Sequence, residues 1–161
     1  MFATTEITLI VTILLSISVN QLNSAVQNGY HIAPYSSNWF EAVEYCNRLG
    51  MRLAVVDTAD KHDAVVKEAQ ETGLWTSGFL GIWLGASDLA RSNIHIWQDT
   101  GARVTFSRWN SGQPSGGSEH CMNLYYWVGQ KFNWTWNDAP CDTSLYAICE
   151  PRKGCCERPV C

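Results

Sequence analysis

The chain has few basic residues and no segment in which they cluster. Only 11 of its 161 residues are Lys or Arg, just four of these are lysines, and the formal net charge is -4. A protein that binds nucleic acid needs a cluster of Lys and Arg side chains to neutralise phosphate groups. The charge pattern therefore argues against nucleic acid as a partner.

Long apolar runs are also missing, because the apolar run near the amino terminus, Ile7 to Val19, has only thirteen residues. A helix that spans a bilayer needs about 20 apolar residues, whereas the apolar region of a signal peptide has this shorter length. The run is followed by small and polar residues up to Ala25. We therefore predict that residues 1–25 are a signal peptide, and that the protein is secreted, extracellular and without a membrane span.

Cysteine and tryptophan, by contrast, are abundant, with seven and eight residues respectively. In the oxidising compartment of a secreted protein, cysteines are interpreted first as disulfides. The length suits one domain, and a hydrophobic fraction of 46% is enough for a core. We expect most tryptophans to anchor the core and the loops rather than to contact a ligand, among them Trp83, Trp97, Trp109 and Trp136.

Two segments in the first half of the chain have the pattern of amphipathic helices. The first follows Asn38, which forms a capping-box pattern with Glu41, and ends before Gly50. Its apolar positions recur at helical spacing: Trp39, Ala42, Val43, Cys46 and Leu49. The second starts at Asp57-Thr58 and runs to about Thr72, with an apolar face of Ala64, Val65 and Ala69.

After Gly73 the pattern changes to short apolar or alternating runs separated by Gly, Asn, Ser and Asp, which is typical of strands and turns. The runs are Ile82 to Ala86, Ile94 to Trp97, Val104 to Phe106, Met122 to Tyr126 and Tyr146 to Cys149. Two helices followed by many short strands predict an α+β fold, in which the helices are segregated from a mainly antiparallel sheet.

Side chains with oxygen ligands concentrate in the last third of the chain. Two carboxylates and two amides are available there, from Gln113, Glu119, Asn137 and Asp138. A hard cation such as Ca²⁺ takes six to eight oxygen ligands from groups of this kind. Zinc fits less well, because the thiols in this part of the chain are too few. Taken one by one, the same residues also fit a turn cap or an ordinary loop.

Several motifs, taken together in this order, resemble the C-type lectin-like carbohydrate-recognition domain in its short form. They are Trp83-Leu84-Gly85-Ala86, Gln113-Pro114-Ser115, Glu119-His120-Cys121, Trp136-Asn137-Asp138, Cys141 and Cys149. The resemblance covers residues 29–150 and leaves residues 151–161 as a cysteine-rich tail. It implies the C-type lectin fold, with two helices packed on short antiparallel sheets and a long loop region for calcium and sugar.

The resemblance also implies two disulfides, Cys46 with Cys149 and Cys121 with Cys141. It implies one calcium site next to a cis-proline at Pro114, with these ligands: Gln113, Ser115, Glu119, Asn137 and Asp138, the last also through its backbone carbonyl. Two vicinal sugar hydroxyls would complete the calcium shell, so these five residues are also the expected sugar-binding residues. A second calcium site is not expected. Asp88 occupies one of its ligand positions in the family pattern, but the other positions are occupied by Ser92, Gly116 and His120.

Ser115 departs from the family pattern, which has Asp or Asn at this position. A serine hydroxyl is short and uncharged, so we expect this ligand to be weak or lost and the calcium affinity to be reduced. The resemblance implies that Gln113, the first residue of this motif, favours galactose or N-acetylgalactosamine over mannose. No tryptophan follows in the loop to stack on the sugar, and the candidates to replace it are Tyr125, Tyr126 and Trp127.

Three classes of function are compatible with these features. The leading prediction is a secreted, calcium-dependent lectin of galactose type, with a role in pathogen recognition or agglutination. The alternative is a C-type lectin-like interaction protein that binds protein or lipid surfaces without calcium. An enzyme is the least favoured class, because Glu119 and His120 lack a nucleophile with an orienting partner.

Two further features concern covalent modification. The three tail cysteines, Cys155, Cys156 and Cys161, remain after the two implied disulfides, and an odd number cannot pair within one chain. One bond within the tail plus one intermolecular bond is the economical solution, which predicts a disulfide-linked homodimer. A free thiol or a thiolate metal site is the less favoured alternative outside the cell. The tripeptide Asn133-Trp134-Thr135 is an acceptor for N-glycosylation at Asn133 in a secreted chain.

Overall fold

The computed structural model describes residues 29–152. The predicted signal peptide, residues 1–25, and the tail cysteines Cys155, Cys156 and Cys161 lie outside these residues. Within residues 29–152, no helix is both long enough and apolar enough to cross a bilayer.

Both helices of the described residues lie in the first half of the chain, and most of the strands follow them, as in an α+β fold. In sequence they are β1 (His31–Ile32), α1 (Trp39–Arg48), β2 (Met51–Leu53), α2 (Ala59–Glu71), a 3-10 turn (Leu74–Ser77), β3 (Phe79–Ser87), β4 (Ile96–Trp97), β5 (Cys121–Trp127), a second 3-10 turn (Val128–Gln130), β6 (Phe132–Ala139) and β7 (Tyr146–Pro151). The stretch between β4 and β5 is the longest connection among them.

Helix α1 forms where its capping residues predict it. The Asn38 side chain accepts a hydrogen bond from the Glu41 backbone N–H at 3.0 Å, and the Glu41 carboxylate accepts one from the Asn38 backbone N–H at 3.3 Å. Gly50 follows the helix at φ +70°, a conformation that glycine adopts without strain. The prediction was wrong for Leu49, which is 48% exposed because the helix ends at Arg48. The buried helical residues are Trp39, Ala42 and Cys46.

Helix α2 also lies where the sequence predicts it, and Val65 and Ala69 of its predicted face are buried. Thr58 caps it, because the Thr58 hydroxyl accepts a hydrogen bond from the Lys61 backbone N–H at 3.3 Å. Its buried residues are His62, Val65 and Ala69. Ala64 is exposed, so the prediction was wrong for this one residue. The helix buries a polar ring because His62 packs edge-on against Trp136, with ring centroids 6.0 Å apart.

The strands form one sheet in the order β1-β7-β3-β5-β6, while β2 pairs with β7 and β4 with β3. All pairs are antiparallel except β3 with β7. The predicted strand Val104 to Phe106 is absent from the described residues, where only Arg103 bridges to Ile96. Strand β6 was not predicted, because its apolar residues are interrupted by Asn, Thr and Asp.

Tryptophans and two disulfides hold the layers together. Trp83, Trp97 and Trp136 are buried, and the Trp83 indole N–H donates to the Ser37 carbonyl oxygen at 2.9 Å. The Cys46–Cys149 disulfide joins α1 to β7 across 103 residues of sequence. The Cys121–Cys141 disulfide joins the start of β5 to the segment that follows β6. The antiparallel pairing of β5 with β6 sets Cys121 opposite Ala139, so the beginning of β5 and the end of β6 lie together, next to the long β4–β5 connection.

Candidate functional site

The last part of the β4–β5 connection runs alongside β6. The Arg108 carbonyl oxygen accepts a hydrogen bond from the Trp136 backbone N–H at 2.8 Å, and the Asn110 backbone N–H donates to the Trp136 carbonyl oxygen at 2.9 Å. The Trp109 ring lies 5.9 Å from the Trp136 ring and perpendicular to it. Because of these contacts, Gln113 is held close to the end of β6, where its peptide bond to Pro114 is cis.

Asp138 accepts the hydrogen bonds that hold the loop after the cis-proline. Its side chain is completely buried. The Ser115 backbone N–H donates to Asp138 Oδ1 at 2.8 Å, and the Gly116 backbone N–H donates to Asp138 Oδ2 at 2.7 Å. Hydrogen bonds to a charged carboxylate are about twice as strong as bonds between neutral groups. Asp138 therefore fixes the loop that follows the cis-proline.

Ser115 connects Asp138 to the second carboxylate of the predicted set. Its hydroxyl donates a hydrogen bond to Glu119 Oε2 at 2.5 Å, while its backbone N–H donates to Asp138. Ser115 is exposed and Glu119 is half-buried just before β5. The structure therefore brings Ser115, Glu119 and Asp138 into one hydrogen-bonded group. Within that group the serine hydroxyl is turned toward Glu119.

The two amides of the predicted set lie in the same region. Asn137, only 7% exposed, precedes Asp138 in β6, and its side-chain amide Nδ2 donates to the Asp138 backbone carbonyl. The Gln113 side-chain oxygen Oε1 is buried and has no hydrogen-bond partner among residues 29–152. Buried acceptors are nearly always paired in proteins, so this oxygen is available to accept a contact from a ligand or an ion.

The carboxylates of this group have no cationic partner in the part of the chain that the structure describes. None of the ion pairs between described residues includes Glu119 or Asp138. No group of three or more His, Cys, Asp and Glu side chains suited to a metal exists among the same residues. The predicted set itself contains two carboxylates, and its other ligands are amide, hydroxyl and carbonyl oxygens.

A comparison with known protein families decides what kind of domain carries this site. Residues 35–151 match the family model described as the lectin C-type domain. The chain belongs to the C-type lectin family. The predicted fold is thereby confirmed, and so is the prediction that the protein is not an enzyme, since this lectin family consists of non-enzymatic carbohydrate-binding proteins.

Relatives of this lectin occur in mosquitoes. Salivary C-type lectin 1 of Aedes albopictus is 35% identical over 145 residues, which cover 86% of this chain and 95% of that protein. C-type lectin 16 of Aedes aegypti is 40% identical over 116 residues, which cover 71% of this chain and 75% of that protein.

A solved structure with the same fold is the cow CD23 C-type carbohydrate-recognition domain, determined in the presence of a GlcNAc2Man3 oligosaccharide. It is 26% identical, with a TM-score of 0.62, and the similarity covers 78% of this chain and 88% of that chain. Family membership supports a carbohydrate-binding role for this lectin.

Asp88, the remaining ligand position of a second calcium site, is fully engaged within the lectin domain. Its Oδ1 lies 2.7 Å from His120 Nδ1, and its Oδ2 accepts a hydrogen bond from the Asn93 backbone N–H at 2.5 Å. The His120 side chain is only 29% exposed, because it packs beside Asp88. The cause is the β3–β5 pairing of Ser87 with Cys121, which sets Asp88 beside His120.

His95 was not identified from the sequence, yet it lies at the edge of the lectin site. The ring is buried and packs against the Trp109 ring, with centroids 5.0 Å apart. Burial lowers the pKa of His95, an effect that the nearby carboxylates of Asp88 and Asp138 oppose. No motif in the sequence connects this histidine to Asp138, because only the folding of the β4–β5 connection brings them together.

The aromatic residues proposed as substitute sugar-stacking partners pack against other aromatic rings. Tyr125 and Trp127 pack against Phe79, with centroids 5.6 Å and 5.3 Å away, and Tyr126 stacks on Trp134 at 4.8 Å. All three belong to the far half of β5, beyond Leu124. Burial raises the pKa of Tyr125, and the negative charge of Glu119 adds to that rise.

Proposed function

We propose that this C-type lectin is secreted and binds one Ca²⁺ ion, and that this ion forms the floor of a sugar site that favours galactose or N-acetylgalactosamine over mannose. The expected ligands and sugar contacts are Gln113, Glu119, Asn137 and Asp138, with Ser115 as a weak or lost ligand. The observation that carries the proposal is the hydrogen-bonded group of Ser115, Glu119 and Asp138 in the loop that follows the cis-proline.

The donor set fits calcium in its chemistry. It contains two carboxylates without cationic partners among the described residues, together with amide and backbone carbonyl oxygens. The buried Oε1 of Gln113, which has no partner within residues 29–152, would gain one in a bound cation. A half-turn of the Asn137 amide would set its oxygen beside the Asp138 carbonyl, a pairing of two acceptors that a cation stabilises.

Bound calcium would supply coordination positions for two vicinal sugar hydroxyls, as the resemblance to carbohydrate-recognition domains implies. The protein contributes the orientation of the surrounding oxygens. Asp138 holds the Ser115-Gly116 backbone, and Ser115 holds the Glu119 carboxylate. In this arrangement the serine supports a ligand rather than acting as a strong ligand itself, which predicts reduced calcium affinity relative to a domain with Asp or Asn at this position.

Secretion, dimerisation and a role in pathogen recognition or agglutination belong to the same proposal. Secretion is supported by the apolar amino-terminal run and by a relative named for its presence in saliva. The odd number of cysteines supports a disulfide-linked homodimer. Two linked sites bind a multivalent glycan surface more tightly than one site does, because the second contact becomes intramolecular.

Affinity chromatography tests the calcium-bridged mechanism. The full chain, produced with its disulfides formed, is applied to immobilised galactose and immobilised mannose in buffer with calcium. We expect retention on galactose, weaker retention on mannose, and release from both on addition of EDTA, because removal of calcium removes the groups that bind the sugar hydroxyls.

Two outcomes would contradict this mechanism. Retention that survives EDTA would show that the sugar is not held through the metal. The alternative of a C-type lectin-like interaction protein requires two results together. The protein would be retained on neither sugar, and it would bind protein or lipid surfaces without calcium.

The substitution Ser115→Asp tests the loop itself. We expect calcium affinity to rise about tenfold, because a charged ligand replaces a neutral hydroxyl. In EDTA the same variant should be less stable than the wild type, because the new carboxylate stands beside Glu119, which the Ser115 hydroxyl approaches to 2.5 Å. Calcium titration calorimetry and thermal unfolding with and without EDTA measure the two effects.

Ser118→Asp is the matched control, because it adds the same charge to the same loop at an exposed residue. A purely general effect of negative charge would change both variants equally. An unchanged calcium affinity in Ser115→Asp would show that this loop does not reach the metal.

A further inference from the structure

The far end of the β5–β6 hairpin contains an irregularity that places three side chains together. Tyr125 pairs with Thr135 and Tyr126 pairs with Asn133, so Trp134 is an extra residue without a partner in β5. Its backbone has φ +56°, which is uncommon for a bulky side chain. The bulge turns the Trp134 ring onto the side of the hairpin where Tyr126 and Asn133 lie.

The Trp134 ring is part of an aromatic platform formed by Trp75, Tyr126 and Trp134. Trp134 stacks on Tyr126 with centroids 4.8 Å apart and planes 27° from parallel. Trp75 meets both rings edge-on at 5.4 Å and 6.2 Å, and its indole N–H donates to the Gln70 carbonyl oxygen at 3.0 Å. All three rings are only half-buried. The platform is therefore rigid, and part of its apolar surface is open to solvent.

Asn133 stands at the edge of this platform. It is exposed, and its cross-strand partner is Tyr126, so the two Cβ atoms are about 5 Å apart. Lys131 is the only Asp, Glu, Lys or Arg between Glu119 and Asp138. The hairpin side of the platform therefore has few charges that a neutral ligand would desolvate.

Asn133 also begins the acceptor tripeptide Asn-Trp-Thr. The Thr135 hydroxyl is buried and has no hydrogen-bond partner within the described part of the chain. An enzyme that recognises this hydroxyl must therefore act before β6 pairs with β5. A secreted chain meets such an enzyme during export, before it has folded. In that step the Asn133 amide nitrogen forms a bond to C1 of the first N-acetylglucosamine and loses a proton. The bond from C1 to the diphosphate of a lipid-linked oligosaccharide breaks, and the lipid diphosphate leaves.

We propose that Asn133 carries an N-linked glycan whose first N-acetylglucosamine packs its apolar face on the aromatic platform of Trp75, Tyr126 and Trp134. The sugar covers aromatic surface that is otherwise exposed to water, and so stabilises the hairpin. This inference rests on the secretion in the proposed function, but it does not depend on calcium or on sugar recognition.

The first experiment establishes the modification. The full chain is secreted from insect cells behind a leader that directs export, and secreted wild type is compared with Asn133→Gln on denaturing gels before and after a peptide N-glycosidase. We expect a mobility shift on deglycosylation of the wild type and none for the variant. A wild-type protein that is secreted without any such shift overturns the proposal.

The second experiment tests the packing on the platform. The gain in Tm due to the glycan, measured as wild type against Asn133→Gln, is expected to be about 3 °C. This gain in Tm should disappear when Trp134→Ala is introduced. If Trp134→Ala does not fold, Tyr126→Leu is used in its place, with the same expected result. Trp127→Leu is the control, because Trp127 is an exposed ring on the same strand that packs against Phe79 instead. An equal gain in Trp134→Ala or Tyr126→Leu and in Trp127→Leu would show that the sugar does not use the platform.

Calcium-dependent retention on galactose, measured on Asn133→Gln, separates this inference from the proposed function. Retention of the unglycosylated variant supports the calcium site whatever the outcome for the glycan, and a stabilising glycan on a protein without retention supports the platform alone.

Discussion

Replacement of Asp138 by asparagine is expected to lower calcium affinity more than tenfold and to abolish calcium-dependent retention on sugar. The buried carboxylate accepts the backbone N–H groups of both Ser115 and Gly116. An asparagine has one acceptor oxygen, so its NH₂ group would face one of these donors, and the negative charge that attracts the cation would be lost. Calorimetric calcium titration and the galactose column measure the two effects.

The same substitution is expected to destabilise the domain by about 1.5 to 3 kcal/mol even in EDTA, because hydrogen bonds to a charged group are lost in a buried place. Asp142→Asn is the matched control, since it removes an exposed carboxylate four residues further along. We expect the control to bind calcium and sugar like the wild type. A fully active Asp138→Asn variant would contradict the central role assigned to Asp138.

Removal of the Cys46–Cys149 disulfide, by changing both cysteines to alanine, is expected to produce the largest loss of stability. The bond closes a loop across 103 residues. Without the bond, the unfolded chain gains conformational entropy. For a loop of about 100 residues, this gain lowers the free energy of unfolding by roughly 4.7 kcal/mol at 25 °C. Chemical denaturation in calcium-free buffer measures this loss. A change below about 1 kcal/mol would contradict the expectation.

The Cys121–Cys141 disulfide provides a contrast, since it closes only 20 residues and its removal should cost about 3 kcal/mol. It nevertheless connects the start of β5, next to Glu119, to the segment that follows Asp138. We therefore expect the variant without this bond to lose more calcium affinity than the variant without Cys46–Cys149. The reverse ranking of calcium affinities would show that the two carboxylates are positioned independently of the Cys121–Cys141 bond.

The local features of the fold were predictable because short-range interactions decide them. Helix α1 starts at Asn38 since the capping box lies within four consecutive residues, and it ends near Gly50 since glycine adopts positive φ there. Strand β6 was less predictable, because it contains polar residues that become buried only against the β4–β5 connection. Asn137 and Asp138, polar yet buried, are the clearest examples.

The candidate site divides in the same way. Residue types and their order predicted Gln113, Glu119, Asn137 and Asp138 as a set of oxygen ligands, and the resemblance to a known family added Ser115 to that prediction. Two contacts within the set were not predictable from either source: the hydroxyl of Ser115 on Glu119, and the backbone of Ser115 and Gly116 on Asp138. Both depend on where a loop of irregular backbone places its N–H and O–H groups, which residue type alone does not specify.

The sequence by itself indicated the family, the approximate positions of the two helices and a predicted set of oxygen ligands, because these depend on residue identity and on spacing along the chain. Only the tertiary structure decided that Asp138 anchors the cis-proline loop, that His120 pairs with Asp88, and that Trp134 turns onto Tyr126. Each of these contacts joins residues that a strand pairing, a loop or a bulge brings together, and the geometry of the folded backbone sets them.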